Sequence, residues 1–464
     1  MGVIEKIKTR VGPWGIGWAV GAIIFAVVVT WQNRGLTFFW DEWDVILATL
    51  ESPYYGILQD NGGNFFPLSR IVFGMELAVF GSWYPGYMFV TSLLFGATAL
   101  TFNWLLDDGT KTRRILLTAF SLIYLSSTGV LFASSMGFML KWALIPLLAI
   151  LAAAFFIRSR EAGGNRNRQL VLAWLFFLLS WTAFSSSIIL MALLIVGLIH
   201  VAPQKSTGKP IAGLQAKTSL LILTISVALA VFGLKLAELN PPINATTGTA
   251  QETLDLVSSI DIVSVFVSGL AATFAALVSV TLSIPLHDNQ VNSWLVIAFR
   301  DYIFFVVVLT ALVLGVIYLI RKRLPSTNLT LTFLLLLGAN LFLSAARSPL
   351  IHRYQTLWIP IAILVILSLV PWLTRLNFGL LNRLLLVVVV VAAIISAWYI
   401  ATNALSIATI ERSRDLADSN KLTNPAECLA EASDTLEQVA PTISADQLCE
   451  ILNVLNERSW ILKR

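Results

Sequence analysis

Three carboxylates stand together in "TFFWDEWDVILATLES" (Thr37 to Ser52): Asp41, Glu42 and Asp44, packed between Trp40 and Trp43. Carboxylates crowded near a low-dielectric surface raise one another's affinity for protons, which suits a general base. Tryptophan prefers the membrane–water interface and would hold these acids close to it. Asp41 and Asp44 are spaced i, i+3 and share one face if a helix begins this early. A solvated loop is the plain alternative. Against it, "VILATLESPYYGIL" continues apolar, as short amphipathic helices lying on a membrane do.

Cationic and polar groups recur further on. Lys141 lies in the short turn "SSMGFMLKWAL", and "SAARSPLIHRYQTLW" carries Arg347, His352, Arg353 and Tyr354. Arg70 and Glu76 follow Pro67 in a second amphipathic run, after the tight-turn signal "NGG". His287 and Asp288 end another apolar stretch. Taken singly, each is an interface anchor that reaches headgroups; Arg70 either faces an anion or pairs structurally. Ionisable groups at such depth are costly and often functional. Together, a carboxylate base and an arginine fork make a site for a phosphate-bearing substrate.

The elements that must position these groups are membrane helices. The chain of 464 residues is 57% hydrophobic and only 12% charged, with mean hydropathy +0.81. Soluble domains carry roughly 25% charged residues. The pattern predicts an all-α polytopic membrane protein with about 11 transmembrane helices, since several apolar stretches reach the roughly 20 residues that cross a bilayer. Short alternating strands of a β-barrel are absent. Spans are expected near 14–33, 86–106, 115–133, 142–157, 170–184, 185–201, 218–238, 301–320, 329–346, 352–370 and 384–402.

Loop charges set the orientation. "DDGTKTRR", "RSREAGGNRNR", "APQKSTGK", "RKR" and "TRLNFGLLNR" read as cytoplasmic by the positive-inside rule. The N-terminus is then cytoplasmic, an uncleaved anchor in the cell membrane. The run from Gln169 to His200 reads as two spans joined near Phe184–Ser187. The stretch 261–285 could itself span, which would move the C-terminus across the membrane; we read it as a re-entrant or interfacial helix on the outer side. The net charge of +5 reports topology, with no nucleic-acid partner implied.

Residues 1–410 form the membrane domain, with 34–85 as its first external loop. Residues 411–464 form a small helical tail, extracytoplasmic in this topology. The tail holds ten acidic and six basic residues and both cysteines, Cys428 and Cys449. In an oxidising compartment these would bridge a helical hairpin; two unrelated buried thiols are the alternative. Other chemistries find little support: there is no phosphate-cradling GxxxxGK[ST] loop or dinucleotide glycine fingerprint. Three histidines in all leave a zinc site short of ligands.

With "WDEWD" (Trp40 to Asp44) after the first span, a long first loop through Pro85, and "RSPLIHRYQ" (Arg347 to Gln355), the chain resembles the GT-C class of integral membrane glycosyltransferases. The late element looks like that of the lipid-linked protein mannosyltransferase-like and aminoarabinose transferase-like group. A soluble tail after the last span is also usual in the class. The resemblance implies interfacial helices in the first loop, a site facing outside, and a polyprenyl-phosphate sugar donor. It implies transfer to a glycan, lipid or protein acceptor with inversion. Asp41 would be the base, with Glu42 or Asp44 positioning the acceptor or replacing it. Arg353, Arg347 and Lys141, with His352 and Tyr354 beside them, would hold the lipid phosphate; Arg70 and Trp43 would touch substrate. A divalent cation at Asp41, Glu42 and Asp44 is compatible with this set and not required. "DNGGNFFPLSR" stands where relatives carry a histidine- or asparagine-acidic element, and no WWDxG element occurs, which argues against transfer to asparagine.

Two rival readings remain at this stage. A transporter or flippase for a lipid-linked sugar would show repeated halves and midplane polar groups, and neither is evident. A non-catalytic membrane scaffold explains the acidic tail but not the carboxylates beside the late arginines.

Overall fold

A computed structural model describes residues 2–34, 65–161, 165–202 and 212–239, with scattered positions between Leu36 and Thr49, Thr356 and Leu367, Val387 and Ile394, and Ile451 and Val454. Among the described residues every element is helical and no strand occurs. Asp41, Trp43, Asp44, Arg347, His352, Arg353, Tyr354, Cys428, Cys449 and the stretch 261–285 lie outside the described residues.

Helix α1 (Gly2–Gln32) is two helical pieces joined at Gly12. Gly12 takes φ 63°, a conformation open to glycine, and Pro13 opens the apolar piece, where its missing N–H costs nothing. Helix α2 (Pro67–Phe80) also begins on proline and stops at Gly81, φ 58°, whose N–H donates to Leu77 O. Helix α3 (Tyr84–Leu106) follows at once. Helix α4 (Lys111–Leu125) is capped by Thr110, whose hydroxyl accepts from Arg113 N. The turn before it is fixed by Asp107 and Asp108, each accepting from a backbone N–H two residues on at 2.9 Å, and by a 3.0 Å ion pair of Arg114 with Asp107.

The sequence predicts one span over 115–133, but the structure divides it. Helix α4 ends at Leu125 and a short α5 (Thr128–Ser134) starts afresh. Ser126 and Ser127 donate back to Ile123 O and Tyr124 O, and the Ser127 hydroxyl caps α5 by accepting from Val130 N. Paired serines thus offer the backbone an alternative to continued helix. A 3-10 turn (Gly137–Met139) leads into α6 (Leu140–Glu161). The Gln169–His200 run breaks near Phe184–Ser187, as expected: α7 (Arg166–Ala183), a 3-10 turn at Ser185–Ser187, and α8 (Ile188–Val201). Helix α9 (Ala212–Leu239) completes the described set.

Among the described residues three helices are long and apolar enough to cross a membrane: Gly12–Gln32, Tyr84–Leu106 and Gly137–Ser159, with mean hydropathies of 1.9, 1.5 and 2.3. Such lengths extend a little over 30 Å at about 1.5 Å per residue, enough for a bilayer core. Helix α3 packs between α1 and α6; α6 packs on α7 and α8, and α8 on α9. The α1–α3 approach is close because Gly96 faces Ala22, leaving no room for a side chain, the small-residue packing that membrane helices favour. Helix α1 turns Ile16, Val20, Ile23, Val27 and Trp31 outward, an apolar face suited to lipid.

Candidate functional site

Glu42 is completely buried. Tyr84, the first residue of α3, places its hydroxyl 2.9 Å from Oε2 and 3.1 Å from Oε1, and Phe138 N donates to Oε1 at 2.9 Å. The same phenol accepts the N–H of Gly137 at 3.1 Å. Glu42 therefore joins the first loop, the start of α3 and the α5–α6 turn. The turn can come this close because residue 137 is glycine: a Cβ there would stand 2.8 Å from Tyr87 Cβ.

Two cations lie at the same end of the bundle. The guanidinium of Arg70 sits 4.9 Å from the centre of the Phe66 ring, and Lys141 Nζ lies 4.8 Å from that ring's centre. Lys141 also lies 4.1 Å over Phe138 and 5.4 Å over Phe184. Both cations are buried, at 4% and 6% exposure, so each contact is worth more than at a wet surface. Helix α2, which carries Arg70, is pinned to the α7–α8 junction. Ser69 donates to Ala183 O at 2.8 Å, and Phe65 and Ser185 exchange hydrogen bonds at 2.9 Å. Thus the first loop, the α5–α6 turn and the α7–α8 junction share one aromatic floor built from Phe66, Phe138 and Phe184.

Among the predicted site residues, the structure brings Glu42, Arg70 and Lys141 to this end of the bundle. The sequence reading left Tyr84, Phe66 and Phe138 out of the site. Their signals were weak: a tyrosine before "PGY" and phenylalanines in short turns look like ordinary interfacial aromatics. Glu76 is a further member. It shares the buried face of α2 with Arg70, and neither of its oxygens has a hydrogen-bond partner among the described residues. Burial, and then the nearby charge of Glu42, push its carboxyl well above the usual range.

Among the described residues no three acidic, cysteine or histidine side chains gather as metal ligands. Of the three acids considered for a cation, only Glu42 is described, and hydrogen bonds from Tyr84 and Phe138 already reach its carboxylate. That makes it a poorly available ligand. An apolar cavity of about 310 Å³ lies elsewhere, between α1, α3 and α4, lined by Gly17, Trp18, Phe25, Gly96 and Leu122. Gly96 is twelve residues along α3 from Tyr84, about 18 Å, so this cavity is distinct from the polar end.

Compared with protein-family models, curated proteins and solved structures, the chain matches none of them.

Proposed function

We propose that the protein is a membrane glycosyltransferase of the GT-C kind. It would move a sugar from a polyprenyl-phosphate donor to a glycan, lipid or protein acceptor at the outer face of the cell membrane. The observation that carries this reading is the convergence of Glu42, Arg70 and Lys141, from three separate stretches of sequence, at one end of a helical bundle. The opposite end carries the Asp107–Arg114 pair and Arg158 over Trp104; by the positive-inside rule that end is cytoplasmic, and Glu42 faces out.

In the proposed reaction Asp41 takes the acceptor's hydroxyl proton. The acceptor oxygen bonds to the anomeric carbon from the side opposite the phosphate, the carbon–oxygen bond to phosphate breaks, and configuration inverts. Arg353 and Arg347, with Lys141 and Arg70, neutralise the departing lipid phosphate, aided by His352 and Tyr354. Phosphate leaves readily once its charge is met, so positioning and electrostatics suffice. Glu42 is tied down on both oxygens, which suits a positioning role and leaves the base's role to Asp41, with Asp44 as its alternative. The eleven spans, the external tail and a Cys428–Cys449 bridge belong to the same proposal.

The test is transfer from polyprenyl-phosphate sugars by the purified chain. Asp41→Asn should abolish turnover while lipid binding persists. Full activity in that variant would remove Asp41 from the base's role.

A further inference from the structure

The buried face of α2 carries Ser69, Arg70, Phe73, Glu76 and Leu77. Ser69 donates to Ala183 O, Arg70 lies over Phe66, and Phe73 packs edge-on to Phe138 and against Tyr87. Glu76 differs from its neighbours. It is 5% exposed, yet among the described residues neither oxygen has a hydrogen-bond partner. Buried polar groups that make no bond are rare, and each calls for a reason.

The surroundings restrict what this group can bind. Burial and the field of Glu42 favour the neutral acid, and a neutral carboxyl offers one O–H donor together with acceptor lone pairs. A hydroxyl is its complement, because it also gives and takes. A phosphate would meet the Glu42 charge. Six residues set Glu76 about 9 Å along α2 from Arg70, a separation that a phosphate-linked sugar ring can bridge.

We propose, resting on the glycosyltransferase reading, that Glu76 binds a hydroxyl of the donor's sugar and so helps to set which sugar the site accepts. Glu76→Leu removes both hydrogen-bonding atoms, and Glu76→Gln keeps a donor and an acceptor at nearly the same shape. Both should fold, because each removes an acid that makes no hydrogen bond among the described residues.

The experiment measures binding of farnesyl phosphate and of farnesyl-phosphate-linked glucose, mannose, galactose and arabinose to the full chain in detergent. At least one sugar should tighten binding to the parent relative to the bare lipid. Glu76→Leu should erase that gain by about tenfold, leave the bare lipid's affinity unchanged, and be rescued by Glu76→Gln. Retention of the sugar-dependent gain in Glu76→Leu overturns the proposal. So does a parent that binds all five lipids equally, although phosphate binding would then stand. A parent that binds none of them overturns the glycosyltransferase reading as well.

Discussion

The Tyr84 hydroxyl lies 2.9 Å from Glu42 Oε2 and accepts the Gly137 N–H at 3.1 Å. One phenol thus ties the acid of the first loop to the turn that introduces Lys141. Tyr84→Phe removes the donor and leaves a buried carboxylate short of a bond. That should cost about 1–3 kcal/mol, read as a lower unfolding midpoint in detergent. Combined with Glu42→Gln, the loss should be less than additive, since both changes strike one interaction. Additive losses would place the stabilising role of Tyr84 elsewhere.

Glu76 should give stability a distinctive pH dependence. Its pKa is raised on folding, so the folded state holds its proton where the unfolded chain has released it. Its contribution is therefore greatest below the ordinary carboxylate range. It falls as pH rises from there toward the raised folded value, by at most about 1.4 kcal/mol per pH unit. Glu76→Gln should flatten this slope and be more stable than the parent at neutral pH. A parent and variant with parallel profiles would contradict the burial argument.

Part of this arrangement could be read in the sequence. The helix start at Pro67 follows from local turn chemistry, and the break at Phe184–Ser187 from the basic loops that flank a run too long for one span. The break at Ser126–Ser127 was hidden because hydropathy averages over the two serines, and their back-donated hydrogen bonds carry no hydropathic mark. The Glu42–Phe138 bond joins residues 96 apart, and the shared Phe66 ring joins Arg70 to Lys141. Such pairings are set by tertiary packing, and no spacing rule exposes them. Glu76 was visible as an acid on an amphipathic run; that it has no hydrogen-bond partner among the described residues became legible only in three dimensions.

The α1–α3 contact offers a test of packing independent of chemistry. A methyl at residue 96 would meet Ala22 Cβ at 2.7 Å and its backbone at 3.0 Å. Gly96→Ala should destabilise by about 1–3 kcal/mol. At Gly17, on the same pair of helices, nothing lies within 4 Å. Gly17→Ala should be neutral or stabilising by up to about 1 kcal/mol, as alanine favours helix. Thermal unfolding of the two variants side by side checks the contrast.

Lys141 and Arg70 should act on phosphate rather than on lipid in general. Lys141→Met keeps an apolar stem against Phe138 and deletes the charge. The loss of one charge-assisted bond, about 1.5–3 kcal/mol, should weaken polyprenyl-phosphate binding roughly tenfold to a hundredfold. The uncharged polyprenol should bind the variant and the parent alike. Equal loss for both lipids would indicate a packing defect.

The most direct test is an experimental structure of the chain with a bound polyprenyl-phosphate sugar, read for the position of the phosphate. The account predicts the phosphate at the Glu42 end, within hydrogen-bonding distance of Lys141 or Arg70, with its sugar toward Asp41. A phosphate beside Arg113, Arg114 or Arg158 at the opposite end of the bundle would contradict it, leaving the acidic cluster as a membrane-interface anchor.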